Sequence, residues 1–309
     1  MGSILGRILG RIAGRLSGRL PGQSGTKPAE GRAVVLAGVR LVDVRPLHPE
    51  RPTALTKVGR LSLRATTEDG AAVKLTEFHG PTHAELIATL SRTSLSDVLP
   101  PVIAVSGSVV ISAWIPTVQG GPPVAALELG RLLARVHATA VPEVPPGFDY
   151  VDDFLVPRAR RAAAAVDASA QLDEVLRVVQ DSPLDARPQV THPDVTPDNV
   201  LRSSDGGLVI IDNELTGVGR APWLDLCNLT RALDREVRTV AIDAYLSAGG
   251  DPLDPAASDV LRALWLVRMV GALHVAGRLS DVARILAEGP ERFPLPFEPK
   301  VRAGAARGR

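Results

Sequence analysis

The sequence predicts an α+β chain of two lobes, a small antiparallel sheet with one helix followed by a mostly helical region. Two observations carry this. Between residues 33 and 115, short apolar stretches alternate with polar residues at a period of two and are separated by turn signals, the pattern of half-buried strands. Beyond Gly120-Gly-Pro-Pro123 the apolar residues recur at helical spacing instead.

The elements follow in order. Residues 1–31 stand apart, because Gly6-Arg-Ile-Leu-Gly-Arg-Ile-Ala-Gly-Arg-Leu-Ser-Gly-Arg-Leu20 repeats a four-residue unit. As a helix it would partly separate Arg from Ile and Leu, and such a basic amphipathic face could touch an anionic membrane surface weakly or dock on a partner. Each glycine costs that helix about 1 kcal/mol against Ala, so a weakly structured arm is the expectation. Arg interrupts any apolar core throughout, which argues against a secretory signal.

Val34-Val-Leu36, Val39–Val44, Leu61–Thr67 and Ala71–Leu75 read as strands, with Glu68-Asp-Gly70 as a hairpin turn. Pro81–Leu90 opens with Pro and Thr and reads as a helix. Val109–Ile115 is a further strand closed by Pro116. Ala126–Ala138 has helical apolar spacing, and residues 154–180, 223–248, 256–277 and 279–288 also read as helices. The expected division is an arm at 1–31, a first lobe at 32–119, a helical lobe at 120–300 and a tail at 301–309, with the Gly120–Pro123 break as hinge.

Bulk properties exclude several classes. The 35 basic residues nearly balance the 34 acidic ones, and aromatics are only 3%, so neither a field nor a stacking surface argues for nucleic acid. No apolar run approaches the length of a transmembrane helix. Cys227 is the single cysteine, which rules out an internal disulfide and suits a reducing compartment, so a cytoplasmic protein is expected.

The chemistry concentrates in Thr191-His-Pro-Asp-Val-Thr-Pro-Asp-Asn-Val200 and Leu208-Val-Ile-Ile-Asp-Asn-Glu214. One Asp, an Asn five positions on, and a second Asp closing an apolar run can hold a divalent cation and an attacking hydroxyl together. Phosphoryl transfer needs that combination, since its catalysis is mostly positioning and charge neutralisation. Asp194 alone could be a loop residue capping a turn, Asn199 a turn residue and Asp212 a strand terminator. It is their joint spacing that points to chemistry.

These two segments resemble the catalytic block of aminoglycoside phosphotransferases and their choline-kinase-like relatives, which reads roughly H-G-D-x-x-x-x-N, a short hairpin, then a strand ending I-D-W/F-E. His192, Asp194, Asn199 and Asp212 stand at the four key positions, while Pro193 and Asn213 depart from the pattern. Gly217-Val-Gly-Arg-Ala-Pro-Trp-Leu-Asp-Leu226 is similar to the family's G-x-G-D-P-x-x-D-L-A stretch, and 126–138 to its L-G-x-x-L-A-x-L-H helix. The resemblance implies a bilobal protein-kinase-like fold and an ATP- and Mg²⁺-dependent phosphotransferase, with GTP left open. It implies Asp194 as catalytic base, Asn199 and Asp212 as metal ligands, and His192 and Asp225 as supports of the catalytic loop. Lys74 would meet the nucleotide phosphates with Glu85 as its ion-pair partner, and Glu214 is a candidate behind the metal. Two exposed charges are the alternative for Lys74 and Glu85, and plain core the alternative for Trp114 near the expected adenine site.

No phosphate-loop glycine pattern is present, and the loop ahead of Leu61, from Pro46 to Gly59, is its nearest substitute. His79 and His83 lie four apart with Pro81 between them and no third ligand, so a metal site there is improbable. The acceptor is expected to be a small hydroxylated molecule, an antibiotic or a metabolite. Asp152, Asp153, Asp234 and Asp243 could draw a cationic one, but Arg158, Arg160, Arg231 and Arg235 interleave with them and weaken that reading. A second reading is a kinase for Ser or Thr of a precursor peptide, with the basic arm holding an acidic leader. A third is a pseudokinase scaffold, against which the full set of Lys74, Asp194, Asn199 and Asp212 argues.

Overall fold

The computed structural model describes residues 33–47, 61–116, 123–145, 147–181 and 187–297. The expected arm at 1–31, the tail at 301–309, most of the Gly120–Pro123 break and most of the loop ahead of Leu61 lie outside the described residues.

Strands β1 (Val34–Leu36), β2 (Val39–Pro46), β3 (Ser62–Thr67), β4 (Ala72–Glu77), β5 (Val102–Ser106) and β6 (Val109–Ala113) form one sheet in the order β1-β2-β3-β4-β6-β5, with each neighbouring pair antiparallel. The period of two sets its faces. Leu63, Ala65, Val73, Leu75 and Ile111 turn to a small apolar core, while Lys74, Thr76, Val110, Ser112 and Trp114 turn to an open cleft. Helix α1 (Pro81–Leu90) packs beside β5 and β6 through Leu86, Ile87 and Leu90. Its buried His83 donates from Nε2 to the carbonyl of Thr216 at 2.7 Å and stacks on Phe148, so it ties the first lobe to the second. That is how the His79/His83 spacing is used.

The second lobe holds α2 (Ala126–Ala138), α3 (Val156–Ala164), α4 (Ser169–Asp181), α5 (Pro222–Ala232), α6 (Arg235–Ser247), α7 (Ser258–Val275) and α8 (Leu279–Glu288). Helix α7 is apolar nearly all round and forms the centre of the larger core, with α3, α4, α5 and α8 against it. Helices α2 and α6 pack closely at Gly130, where an added Cβ would run into the Ala241 carbonyl oxygen. Gly130→Ala is expected to destabilise the fold by about 1–3 kcal/mol through this overpacking. A thermal melt checks it: an unchanged Tm would contradict the close approach.

Three expectations needed correction. β5 stands where no strand was read. The helix expected at 154–180 is instead a π-helical turn (Tyr150–Leu155) followed by α3 and α4, broken at Asp167 with its φ of 55°. The helix expected at 223–248 is split between Ala232 and Arg235. Among the described residues no helix is long and apolar enough to cross a membrane.

Candidate active site

Four short strands frame the carboxylate-rich segments. β7 (Gln189–Thr191) pairs with β10 (Gly217–Gly219), and β8 (Val200–Arg202) with β9 (Leu208–Ile210). The loop 192–199 joins β7 to β8, and 211–216 joins β9 to β10. The Ile211 N–H donates to the Asn199 carbonyl at 2.8 Å, which sets the two loops side by side.

Each side chain has a local cause for its place. Asn199 donates from Nδ2 to the Asp194 carbonyl at 3.0 Å, which fixes the amide and leaves its oxygen as the atom able to bind. Asp212 follows β9 in the left-handed region, φ 58° and ψ 51°. That conformation costs an L-residue about 1–2 kcal/mol and is tolerated best by Asn and Asp. Its Oδ1 accepts from the Lys74 ammonium at 2.6 Å. Glu214 is largely buried, and burial first, then the Asp212 charge beside it, raise its carboxyl above the ordinary range.

Below the loop, Asp225 is 2% exposed. Its Oδ2 accepts from the His192 backbone N–H at 2.6 Å and from His137 Nε2 at 3.1 Å, and His137 Nδ1 meets the Tyr245 hydroxyl at 2.9 Å. Burial, then Asp251 and Asp225, push the Tyr245 hydroxyl upward, so it stays a donor and fixes the histidine tautomer. The His192 ring is likewise buried and bonds through Nε2 to Asn213 Oδ1 at 2.8 Å. Asn213, at a position often aromatic in the resemblance, thus supplies a polar partner for that ring.

Two clefts meet at Asp212. The first, about 340 Å³, lies between the sheet and the segment Ile211–Asn213 with Leu201 of β8, and is mainly apolar, lined by Val102, Val110, Trp114, Ile115 and Ile211 together with Lys74 and Asp212. The second, about 600 Å³, opens over the helical lobe and carries Asp194, Asn199, Asp212 and Glu214. Leu47 borders both. Trp114, for which plain core was the alternative, lines the apolar cleft and carries Arg64 over its ring at 4.4 Å.

The family model described as the phosphotransferase enzyme family matches residues 113–264, the stretch that contains both loops and Asp225. Over that stretch the chain is a phosphotransferase. No curated protein sequence matches it. Among solved structures, the phosphotransferase is similar to the amicoumacin kinase hAmiN in complex with AMP-PNP, Ca²⁺ and Ami, at 14% identity and TM-score 0.53, covering 79% of this chain and 89% of that one. The proposed fructosamine-3-kinase of Thermobifida fusca YX-ER1 is 20% identical with TM-score 0.53, over 82% and 96% of the two chains. The choline kinase LicA of Streptococcus pneumoniae is 13% identical with TM-score 0.50, over 80% and 94%. At such identities the likeness is one of fold, and the fold is protein-kinase-like.

One expected contact is not formed in this phosphotransferase. Glu85 lies on the exposed side of α1, and the Lys74 ammonium is held by Asp212 instead. The helical period explains it: α1 buries His83, Leu86, Ile87 and Leu90, and Glu85 falls off that stripe. Glu85→Ala is therefore expected to change stability by less than about 0.5 kcal/mol. It should also leave nucleotide affinity unaltered in a calorimetric titration; a tenfold loss would restore the expected pair. Sequence reasoning missed His137, Tyr150, Tyr245 and Arg268, which bind the site from helices. The signal available for Arg268 was a lone cation inside the apolar run Leu264–Val270.

Proposed function

We propose that the protein moves the γ-phosphoryl group of ATP to a hydroxyl of a small molecule. The observation that carries this is the pair of clefts joined at Asp212, one mainly apolar with the Lys74 cation in its lining, the other mixed in polarity and holding Asp194. The apolar cleft suits a nucleotide base beside Trp114 and Ile115, with Lys74 at the phosphates. Residues 32–119 then form the nucleotide lobe and 120–300 the acceptor lobe.

The donor set fits Mg²⁺. Asn199 offers a neutral oxygen and Asp212 an anionic one, both hard ligands, and the Ile211–Asn199 hydrogen bond keeps them adjacent. When bound, the metal would neutralise phosphate charge as the bond to the leaving group breaks. Asp194 orients the acceptor hydroxyl and takes its proton as the new oxygen–phosphorus bond forms and ADP departs. Asp225 and His192 hold the loop that presents it. An ATP-dependent reaction and the lone buried Cys227 both suit the cytoplasm.

A cleft of about 600 Å³ is in the range of small-molecule sites, which favours this acceptor over a peptide. The test is mass spectrometry of hydroxylated antibiotics, amino alcohols, sugars, hydroxy acids and Ser/Thr peptides incubated with enzyme, ATP and Mg²⁺. A phosphoryl gain on a small molecule, lost in Asp194→Ala, is the expected result. A gain confined to the peptides, or one that survives the substitution, would overturn it.

A further inference from the structure

Besides the carboxylates, the larger cleft is lined by three arginines, Arg158 from α3, Arg231 from α5 and Arg268 from α7. None is in an ion pair with a carboxylate among the described residues. Neutral groups hold two of them. The Arg158 guanidinium lies over the Phe154 ring at 4.6 Å, and its Cβ is seated against Gly271, where an added Cβ would come within 3.2 Å. Arg268 donates from Nε to Asn228 Oδ1 at 2.7 Å and lies 5.7 Å from the Trp265 ring centre. Aromatic faces and an amide orient a guanidinium without cancelling its charge.

The electrostatics agree with this geometry. Burial first, and then other cations nearby, Arg268 among them, hold Arg158 below its ordinary range, and burial followed by Arg268 does the same for Arg231. Three cations that repel one another and face one cavity are costly, and a bound anion relieves that cost. Tyr150 lines the same cleft within reach of the charges of Arg158, Arg268 and Asp194, and its hydroxyl, pushed up to about 12 mainly by burial, remains a hydrogen-bond donor. One cleft thus carries carboxylates with an amide and guanidinium groups together, with apolar Phe154, Leu215, Val267 and Val275 among its walls.

We propose that the acceptor is an anionic alcohol, its carboxylate or phosphate group held by Arg158, Arg231 and Arg268 while its hydroxyl meets Asp194. This rests on the kinase reading for the hydroxyl end alone. Guanidinium forks suit either anion, and the bond to a planar carboxylate or a phosphate face is charge-assisted. A polycationic acceptor would meet three like charges here.

The test uses one scaffold with four substituents: 4-(hydroxymethyl)benzoate, its methyl ester, 4-(hydroxymethyl)phenyl phosphate and 4-(aminomethyl)benzyl alcohol. Binding is read from intrinsic tryptophan fluorescence and transfer from ADP release, with wild type, Arg158→Gln, Arg268→Gln and the partly exposed Arg231→Gln in parallel. Saturable binding of the carboxylate or the phosphate, weakened about 10- to 100-fold in an arginine variant that still melts as wild type does, is expected. The ester and the amine should bind weakly, and KM for ATP should not move. The benzoate and phosphate arms tell the two anions apart. Equal binding of the ester or amine, no binding of either anion, or anion binding indifferent to all three variants would overturn the proposal. Arginine-dependent anion binding with no ADP release would keep the anion site and count against the kinase reading. Transfer to the amine would do the reverse.

Discussion

Asp194→Asn is expected to lower kcat by about 10²–10⁴-fold, the range for loss of a positioned general base. The change removes the charge and keeps the shape, and the Asp194 carbonyl still receives the Asn199 amide. Stability should therefore stay within about 0.5 kcal/mol of wild type, as for substitutions away from buried networks. KM for ATP should hold, because Asp194 lines the acceptor cleft and not the apolar one. Steady-state kinetics with a thermal melt separate the outcomes. A variant within tenfold of wild type would reject Asp194 as the base, and a collapse in Tm would make its role structural.

Asp225→Ala should be the most destabilising single change in the site. It would leave the His192 N–H and the His137 ring without their acceptor in a region closed to water. Removing one partner of a buried charged network costs about 3–5 kcal/mol, because the remaining polar groups are stranded. Asp225→Asn can set its one amide oxygen where Oδ2 accepts both bonds but loses the carboxylate's charge, so it should recover only part of the loss. Urea unfolding of the three proteins reads this directly. Activity should fall together with stability, since His192 begins the loop that carries Asp194. If Asp225→Ala unfolded at the wild-type urea concentration, the brace would not exist.

What the sequence disclosed follows from which physical signals are local. Strand alternation at 62–67 and 72–77 and helical spacing at 126–138 and 279–288 are properties of short windows, and the observed elements lie there. The spacing of Asp194, Asn199 and Asp212 was equally legible, because two adjacent loops and one short hairpin bring them together. The misses are of another kind. Val102–Ser106 follows Pro100-Pro101 and has no clean alternation, and its strand exists through pairing with β6. The Ala-rich run after Arg161 has no breaker residue, so the stop at Asp167 is set by packing of α3 and α4 on α7. Lys74 was visible as a cation in a strand, but its partner depended on how α1 is rotated. The arginines of the larger cleft come from three helices and lie up to 110 positions apart in sequence, and periodicity cannot tell a cleft wall from a core.

If the two clefts are halves of one site joined at Asp212, a nucleotide must span them. A crystal structure of the protein with AMP-PNP and Mg²⁺ tests it without knowledge of the acceptor. The base is expected beside Trp114 and Ile115, the phosphates at Lys74, the metal on Asn199 and Asp212, and the γ-phosphate at the mouth of the Asp194 cleft. A nucleotide bound elsewhere, or one whose γ-phosphate points away from Asp194, would contradict it.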